Sequence, residues 1–232
     1  MPNPYFRFKQ FTIFQDRCAM KVGTDGVLLG AWTNCDGTAQ ILDIGTGTGL
    51  VALMLAQRSN ALITAIEIDK EAATQASENA ANSPWRNRIF VKNCSLQEFA
   101  PETKFDLIVS NPPYFCNSLK TPLENRNLAR HADSLPLADL LQHSRRLLSE
   151  NGRLCVILPV DAANFCIEKA VQNGLFCTRS TKIKPLPDSI AKRILLEFSQ
   201  TEKECVEDFL IIEKSRHQYS EAFKKMTEKY YF

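Results

Sequence analysis

The chain reads as an α/β fold, a mostly parallel sheet with helices on both faces. Three observations predict it. Short apolar runs alternate with Ala- and Leu-rich stretches of about ten residues, the rhythm of βαβ units. The runs are apolar through most of their length, as strands covered on both faces are. Late in the chain two strand candidates follow each other with no helix between, so an antiparallel hairpin is expected at one sheet edge. Length and composition agree. A chain of 232 residues, 44% hydrophobic and 23% charged, suits one soluble globular domain. At that size roughly 70% of the unfolded surface can be buried without metal or disulfide support.

Residues 1–36 should form an N-terminal flap and a helix. Alternation in Phe6-Arg7-Phe8-Lys9-Gln10-Phe11 predicts a short strand or flap, and Asp25 can cap a helix starting near Gly26. The core should span 37–200. Its first strand is Gln40 to Ile44, followed by a helix over Leu50 to Ala56 and a second strand from Ala61 to Ile66. An Ala-rich helix runs from Lys70 to Asn82 and stops before Pro84. Arg88 to Val91 is a third strand; Phe105 to Val109 is a fourth, cut off by Pro112-Pro113. A helix over Leu135 to Leu148 leads to a fifth strand, Gly152 to Leu158, and a helix over Asp161 to Gln172 leads to two more, Phe176 to Ile183 and Arg193 to Phe198. Residues 201–232 should add a strand, Phe209 to Ile212, and a charged helix from about Ser220. The connection from Tyr114 to Ser134 is roughly 20 residues, a length that inside a compact domain is usually functional.

The net charge of +2 neither demands nor excludes a nucleic-acid partner. Eight cysteines form no C-x-x-C pair and none sits beside a histidine at zinc-ligand spacing, so no metal is expected. They read as reduced thiols, packed as small hydrophobes, in a cytoplasmic protein. No apolar signal region and no membrane-length apolar run is seen.

Asp43-Ile44-Gly45-Thr46-Gly47-Thr48-Gly49 follows a strand and opens a helix. Glycines there permit a tight turn and close approach of a ligand to the backbone. The dinucleotide fingerprint needs its third glycine one residue later, where Leu50 stands, and no phosphate-loop lysine is present. An acid two residues before the glycines repels pyrophosphate and favours a cationic ligand; S-adenosylmethionine, with its sulfonium and ammonium groups, fits. Glu67, at the end of the second strand, can accept two ribose hydroxyls. Asp69 reads as a helix cap.

Asn111-Pro112-Pro113-Tyr114 follows the fourth strand, at the carboxyl edge where open α/β sheets bind ligands. An exocyclic amine conjugated to a ring is a poor nucleophile because its lone pair is delocalised. Two acceptors, the Asn111 side-chain oxygen and the Pro112 carbonyl, can hold its hydrogens and draw the nitrogen towards tetrahedral geometry. Pro112 and Pro113 stiffen the backbone, keeping both acceptors aimed. Tyr114 offers a face on which a base can stack, a contact worth about 1–3 kcal/mol.

In this order these motifs resemble the class I, Rossmann-like methyltransferases that use S-adenosylmethionine to modify exocyclic amino or amide nitrogens. Phe8-Lys9-Gln10-Phe11, the block from Asp16 to Trp32, and Ser83-Pro84-Trp85 narrow the resemblance to the bacterial tRNA1(Val) adenine-N6 methyltransferases, over about Phe6 to Phe198. The resemblance implies a seven-stranded, mostly parallel Rossmann-like sheet with an antiparallel edge hairpin. It implies methyl transfer to the N6 of an adenine in tRNA, just 3′ of the anticodon. Asp43, Gly45, Gly47 and Gly49 would line the methionine and sulfonium end, Glu67 the ribose, and Lys21, Val22, Gly23 and Thr24 the methionine carboxylate. Asn111, Pro112, Pro113 and Tyr114 would hold the target base. Relatives commonly carry an Asp after the third strand; here Ser95 stands in its place, so Ser95 or the Leu96 backbone would serve the cofactor adenine.

Basic positions supply candidate RNA contacts: Arg7 and Lys9 near the N-terminus, Arg126, Arg130 and His131 in the long loop, and Lys192 and Arg193 after Pro185-Leu186-Pro187. Singly, each also fits an ordinary solvated surface. Cys116 lacks the Pro-Cys context of a cytosine C5 nucleophile, and no catalytic histidine is needed, since the proton of an amine can leave to water. The alternatives are N-methylation of another nucleic acid or of a protein glutamine amide. Enzymes of the latter kind usually carry a helical substrate domain before the glycine turn, for which the segment preceding Asp43 is too short. A module that kept the cofactor but lost catalysis would have no use for Asn111. A single domain acting as a monomer is expected.

Overall fold

The computed structural model describes residues 3–18, 20–113 and 135–231. Its centre is an eight-stranded sheet. The strands are β3 (Gln40–Ile44), β4 (Leu62–Glu67), β5 (Ile89–Asn93), β6 (Phe105–Ser110), β7 (Leu148–Pro159), β8 (Phe176–Lys184), β9 (Arg193–Ser199) and β10 (Val206–Ile211), in the order β10-β8-β9-β7-β6-β3-β4-β5. Only β9 runs antiparallel to its neighbours; the other pairings are parallel. Sequence reasoning expects seven strands with the β8–β9 hairpin outermost. Instead β10 pairs in parallel with β8, adding an eighth strand beyond the hairpin. Its first four residues are exposed, so its apolar pattern is too weak to announce a place in the main sheet.

Alternate residues of each central strand face opposite layers. Ile41, Ile63, Leu107, Val109 and Ile157 join one core, beneath α1 (Thr24–Trp32) and α2 (Leu50–Arg58). Leu42, Ile44, Ile66, Ile108 and Val156 join the other, beneath α4 (Leu137–Leu147) and α5 (Ala163–Gln172). The Ala-rich α3 (Lys70–Ala81) packs against β4 and β5. Asp69 caps it as expected, accepting from Ala72 N at 2.8 Å.

Asp25 does not cap α1. The helix begins at Thr24 with Gly23 at the N-cap and no side-chain cap. The Asp25 carboxylate lies in the first turn, where negative charge still suits the helix end, and pairs with Arg193 Nε at 2.8 Å. Gly26 and Gly30 bring α1 onto α2: a Cβ at Gly30 would lie 2.7 Å from Met54 Sδ and 3.0 Å from Met54 Cβ.

The N-terminal segment forms a short hairpin, β1 (Tyr5–Arg7) with β2 (Thr12–Phe14), that buries Phe8, Phe11 and Ile13. Beyond β10, a second hairpin, β11 (Glu213–Ser215) with β12 (Gln218–Tyr219), leads to the short α6 (Glu221–Thr227).

Candidate active site

The strand order reverses between β3 and β6. One chain direction leads away through β4 and β5, the other through β7, so a crevice opens at the carboxyl ends of β3 and β6. Ser110, fully buried, donates its hydroxyl to Ile44 O at 2.9 Å and ties these two strand ends together. The residue after each belongs to the crevice: Gly45 on one side, Asn111 on the other.

The glycine turn is held by backbone needs that side chains would oppose. Gly45, Gly47 and Gly49 have φ of 68°, 55° and 82°, a region costly for residues with a Cβ. Gly45 and Gly47 also face open space: no atom lies within 4 Å of a built Cβ at either. Gly45 N and Thr46 N donate to Ile66 O, and Gly47 N donates to Glu67 Oε2 at 2.9 Å, so the turn is stitched to the end of β4. Asp43 is 2% exposed and sits under the turn, accepting from Thr46 Oγ1 at 2.6 Å and from Ala52 N at 3.2 Å. Burial pushes its carboxyl up to about 7; the Thr46 and Ala52 hydrogen bonds oppose that shift and the Glu67 charge adds to it.

Two adjoining cavities share Met20, Gly45, Gly47 and Asn111. The larger, about 480 Å³, runs over β4 between Ile44, Ile66, Ile68, Glu67, Ser95, Leu96, Pro112 and Pro113. The smaller, about 380 Å³, lies between the glycine turn and Lys21, Gly23, Thr24 and Asp25, with Asp43 at its floor. Apolar walls beside a carboxylate, continued by a second, acid-lined chamber, suit a nucleoside joined to a cationic amino-acid tail. The open space at Gly45 and Gly47 gives such a ligand room to lie on the backbone.

Nine of the eleven expected cofactor residues line this groove: Lys21, Gly23, Thr24, Asp43, Gly45, Gly47, Glu67, Ser95 and Leu96. Two do not. Val22 packs against the core and donates its N–H to Gln15 Oε1 at 2.8 Å, and Gly49 is the N-cap of α2. Ser95 Oγ donates to Glu98 Oε2 at 2.8 Å and accepts from Glu98 N at 3.2 Å, leaving one acceptor position on the hydroxyl. Asn111 stands between the cavities, just after β6, and Pro112 and Pro113 line the larger one; Tyr114, Arg126, Arg130 and His131 lie outside the described residues. Cys18 and Cys94 line the groove, and burial raises both thiols, Cys18 to about 11, so neither offers a thiolate there.

The basic candidates divide. Arg7 lies on exposed β1, and Lys9 donates from its backbone N to Tyr230 O and from Nζ to Glu228 O, which ties it to the C-terminal helix region rather than to the groove. Lys192 and Arg193 do reach the carboxyl edge, because β9 runs backwards and starts there. Arg193 is paired with Asp25; Lys192 is exposed. The sequence gives no signal for Lys214 and Arg216, which the β11–β12 hairpin exposes beyond the end of β10. Ser110 gives no signal in the sequence either.

A family model described as methyltransferase small domain matches residues 22–182. A tRNA1(Val) (adenine(37)-N6)-methyltransferase of Parabacteroides distasonis is 51% identical over 100% of this chain and 99% of its own. The protein of that name from Phocaeicola vulgatus is 52% identical over 100% and 99%. Among solved structures, a predicted O-methyltransferase from Agrobacterium tumefaciens superposes with a TM-score of 0.69 at 22% identity, over 90% of this chain and 98% of that one. That likeness concerns the fold.

Proposed function

The chain belongs to the tRNA1(Val) (adenine(37)-N6)-methyltransferases within the methyltransferase small-domain family, and from that premise we propose how its groove carries out the transfer. The reaction moves a methyl group from S-adenosylmethionine to the N6 of an adenine in tRNA. The bound donor supplies an electrophilic methyl on a sulfonium. All else is positioning by this chain's residues.

Glu67 takes the ribose hydroxyls on the lone pairs left by Gly47 N and Asp69 N. Ile66, Ile68 and Leu96 flank the adenine, and the Ser95 hydroxyl accepts from its amine. Lys21, Gly23 and Thr24 receive the methionine end, with Asp43 below it. The Asn111 side-chain oxygen and the Pro112 carbonyl accept the two N6 hydrogens of the target base and turn its lone pair towards the methyl. The proton left over after transfer departs to water. The observation that carries this reading is the meeting of Asn111 with the glycine turn at one reversal of strand order, locked by Ser110.

The tRNA would lie along the other arm of the edge. Strands spaced about 4.8 Å apart put the ends of β8 and β10 roughly 14–19 Å from that of β6. Lys192, Lys214 and Arg216 are exposed there, beyond the ends of β8 and β10; the β4–β5 arm carries Glu67, Asp69, Glu71 and Glu98 alongside Lys70 and Lys92. Unmodified tRNA1(Val) incubated with the protein and labelled donor should gain one N6-methyladenine, mapped by nucleoside mass spectrometry to adenine 37. No transfer, or transfer to a glutamine amide instead, refutes the reading. In binding titrations with the same tRNA at several salt concentrations, the Lys192→Ala/Lys214→Ala/Arg216→Ala variant should lower the slope of log affinity against log salt by about 2–3.

The Asp43 carboxyl gives a pH signature. Its folded value of about 7 lies above the ordinary carboxylate range. Between the two the folded state holds the extra proton, so this group's contribution to apoprotein stability falls as pH rises from about 4 to 7. A cationic ligand favours the ionised form, so below about 7 binding must release that proton. Donor affinity measured by calorimetry should therefore weaken as pH drops from 8 to 6. Asp43→Asn should bind more weakly and lose that dependence.

A further inference from the structure

The N-terminal segment supplies one wall of the groove: Arg17, Cys18 and Met20 line the larger cavity, and Lys21, Gly23 and Thr24 the smaller. Two amides, one turn apart on the otherwise Ala-rich inner face of α3, fasten this wall. Gln75 is 0% exposed and Asn79 1%. Amides so buried persist only when hydrogen-bonded. Asn79 Oδ1 accepts from Phe14 N, and its Nδ2 donates to Phe14 O and to Thr48 O, all at 2.9 Å. Gln75 Oε1 accepts from Arg17 N at 3.0 Å, and its Nε2 donates to Asp16 Oδ1 at 2.8 Å. The Arg17–Glu78 ion pair adds a third tie to the same helix.

Thr48 belongs to the glycine turn. A single side chain, Asn79, therefore bonds the backbone of both walls, the turn and the segment leading to Arg17. We infer that Asn79, assisted by Gln75, is a positioning residue that sets the width of the donor groove. It holds the N-terminal wall at a fixed distance from the glycine turn. Neither amide lines either of the two cavities, so both act through the backbone they hold. The inference rests on the reading of the groove as the S-adenosylmethionine site.

The test uses the whole chain with Asn79→Leu, which keeps the branched shape but replaces the amide by methyls, and Gln75→Leu, which removes the amide with one heavy atom fewer. Three readouts are taken: donor affinity by calorimetry, the split of KM and kcat on tRNA, and limited trypsin digestion. Arg17 and Lys21 are built-in trypsin sites within the wall. For Asn79→Leu, donor affinity should weaken at least 10-fold and the donor KM rise in parallel. Its kcat at saturating donor should fall less than threefold. Cleavage after Arg17 and Lys21 should precede cleavage elsewhere and be suppressed by saturating donor. Gln75→Leu should show the same pattern at smaller size, and decides the matter if Asn79→Leu does not fold. A lowered melting temperature with unchanged affinity and an unchanged digestion pattern overturns the inference. Failure of the wild type to bind the donor would instead sink the reading of the groove, while the digestion pattern would still report on the clamp.

Discussion

Asn111→Ala should bind S-adenosylmethionine as tightly as the wild type and methylate tRNA about 10²–10³ times more slowly. The side chain stands where the two cavities meet, after a strand end fixed by the Ser110–Ile44 bond, and before Pro112, whose ring limits the backbone. On the proposed reading its oxygen is aimed at the target amine rather than at the donor. Its proposed role is to hold an amine hydrogen as the nitrogen loses conjugation. Loss of one preorganised polar group aimed at developing charge typically costs about 2.7–4 kcal/mol of barrier. Calorimetry for the donor and single-turnover transfer to unmodified tRNA separate the two quantities. A variant that transfers at the wild-type rate would remove Asn111 from the chemistry, and one that no longer binds the donor would make it a groove residue only.

Gly47→Asn should fold, yet bind the donor about 100-fold more weakly, about 2.7 kcal/mol. Asparagine tolerates left-handed backbone better than other residues with a Cβ, so the φ of 55° alone does not unfold the turn. The added side chain must instead enter the open space above the turn, the place proposed for the donor. Gly37→Asn is the control: φ is 70° and a Cβ there also meets nothing within 4 Å, but Gly37 lines a different surface, near Arg58 and Trp85. Melting temperatures of the two variants should be similar and donor affinities widely different. Equal affinities would show that the turn serves only to join β3 to α2.

The parts of this site visible in the sequence are those that backbone rules enforce. Glycines after an apolar run, an acid at the next strand end and prolines after Asn111 each mark a position on the chain, and the reversal of strand order brings them together. Side-chain partnerships across long separations leave no such mark. Asp25 looks like a helix cap and Arg193 like an RNA contact; folding pairs them across 168 residues. Lys9 resembles a phosphate ligand but is spent on carbonyls of the C-terminal region. Gln75 and Asn79 read as ordinary polar residues of a helix, because nothing local says that the N-terminal chain will lie on them. The sequence marks the eighth strand as a strand but not as a neighbour of β8, since edge pairing depends on main-chain bonds that any sequence can make.

The reversed direction of β9 has a consequence for how such a protein could change. Its tip, between Lys184 and Arg193, projects at the working edge while both flanking strands stay pinned in the sheet. Residues can be gained or lost there without shifting the register of the core or the glycine turn. With the tRNA lying along that edge as proposed, the molecule's reach along it is adjustable separately from the chemistry.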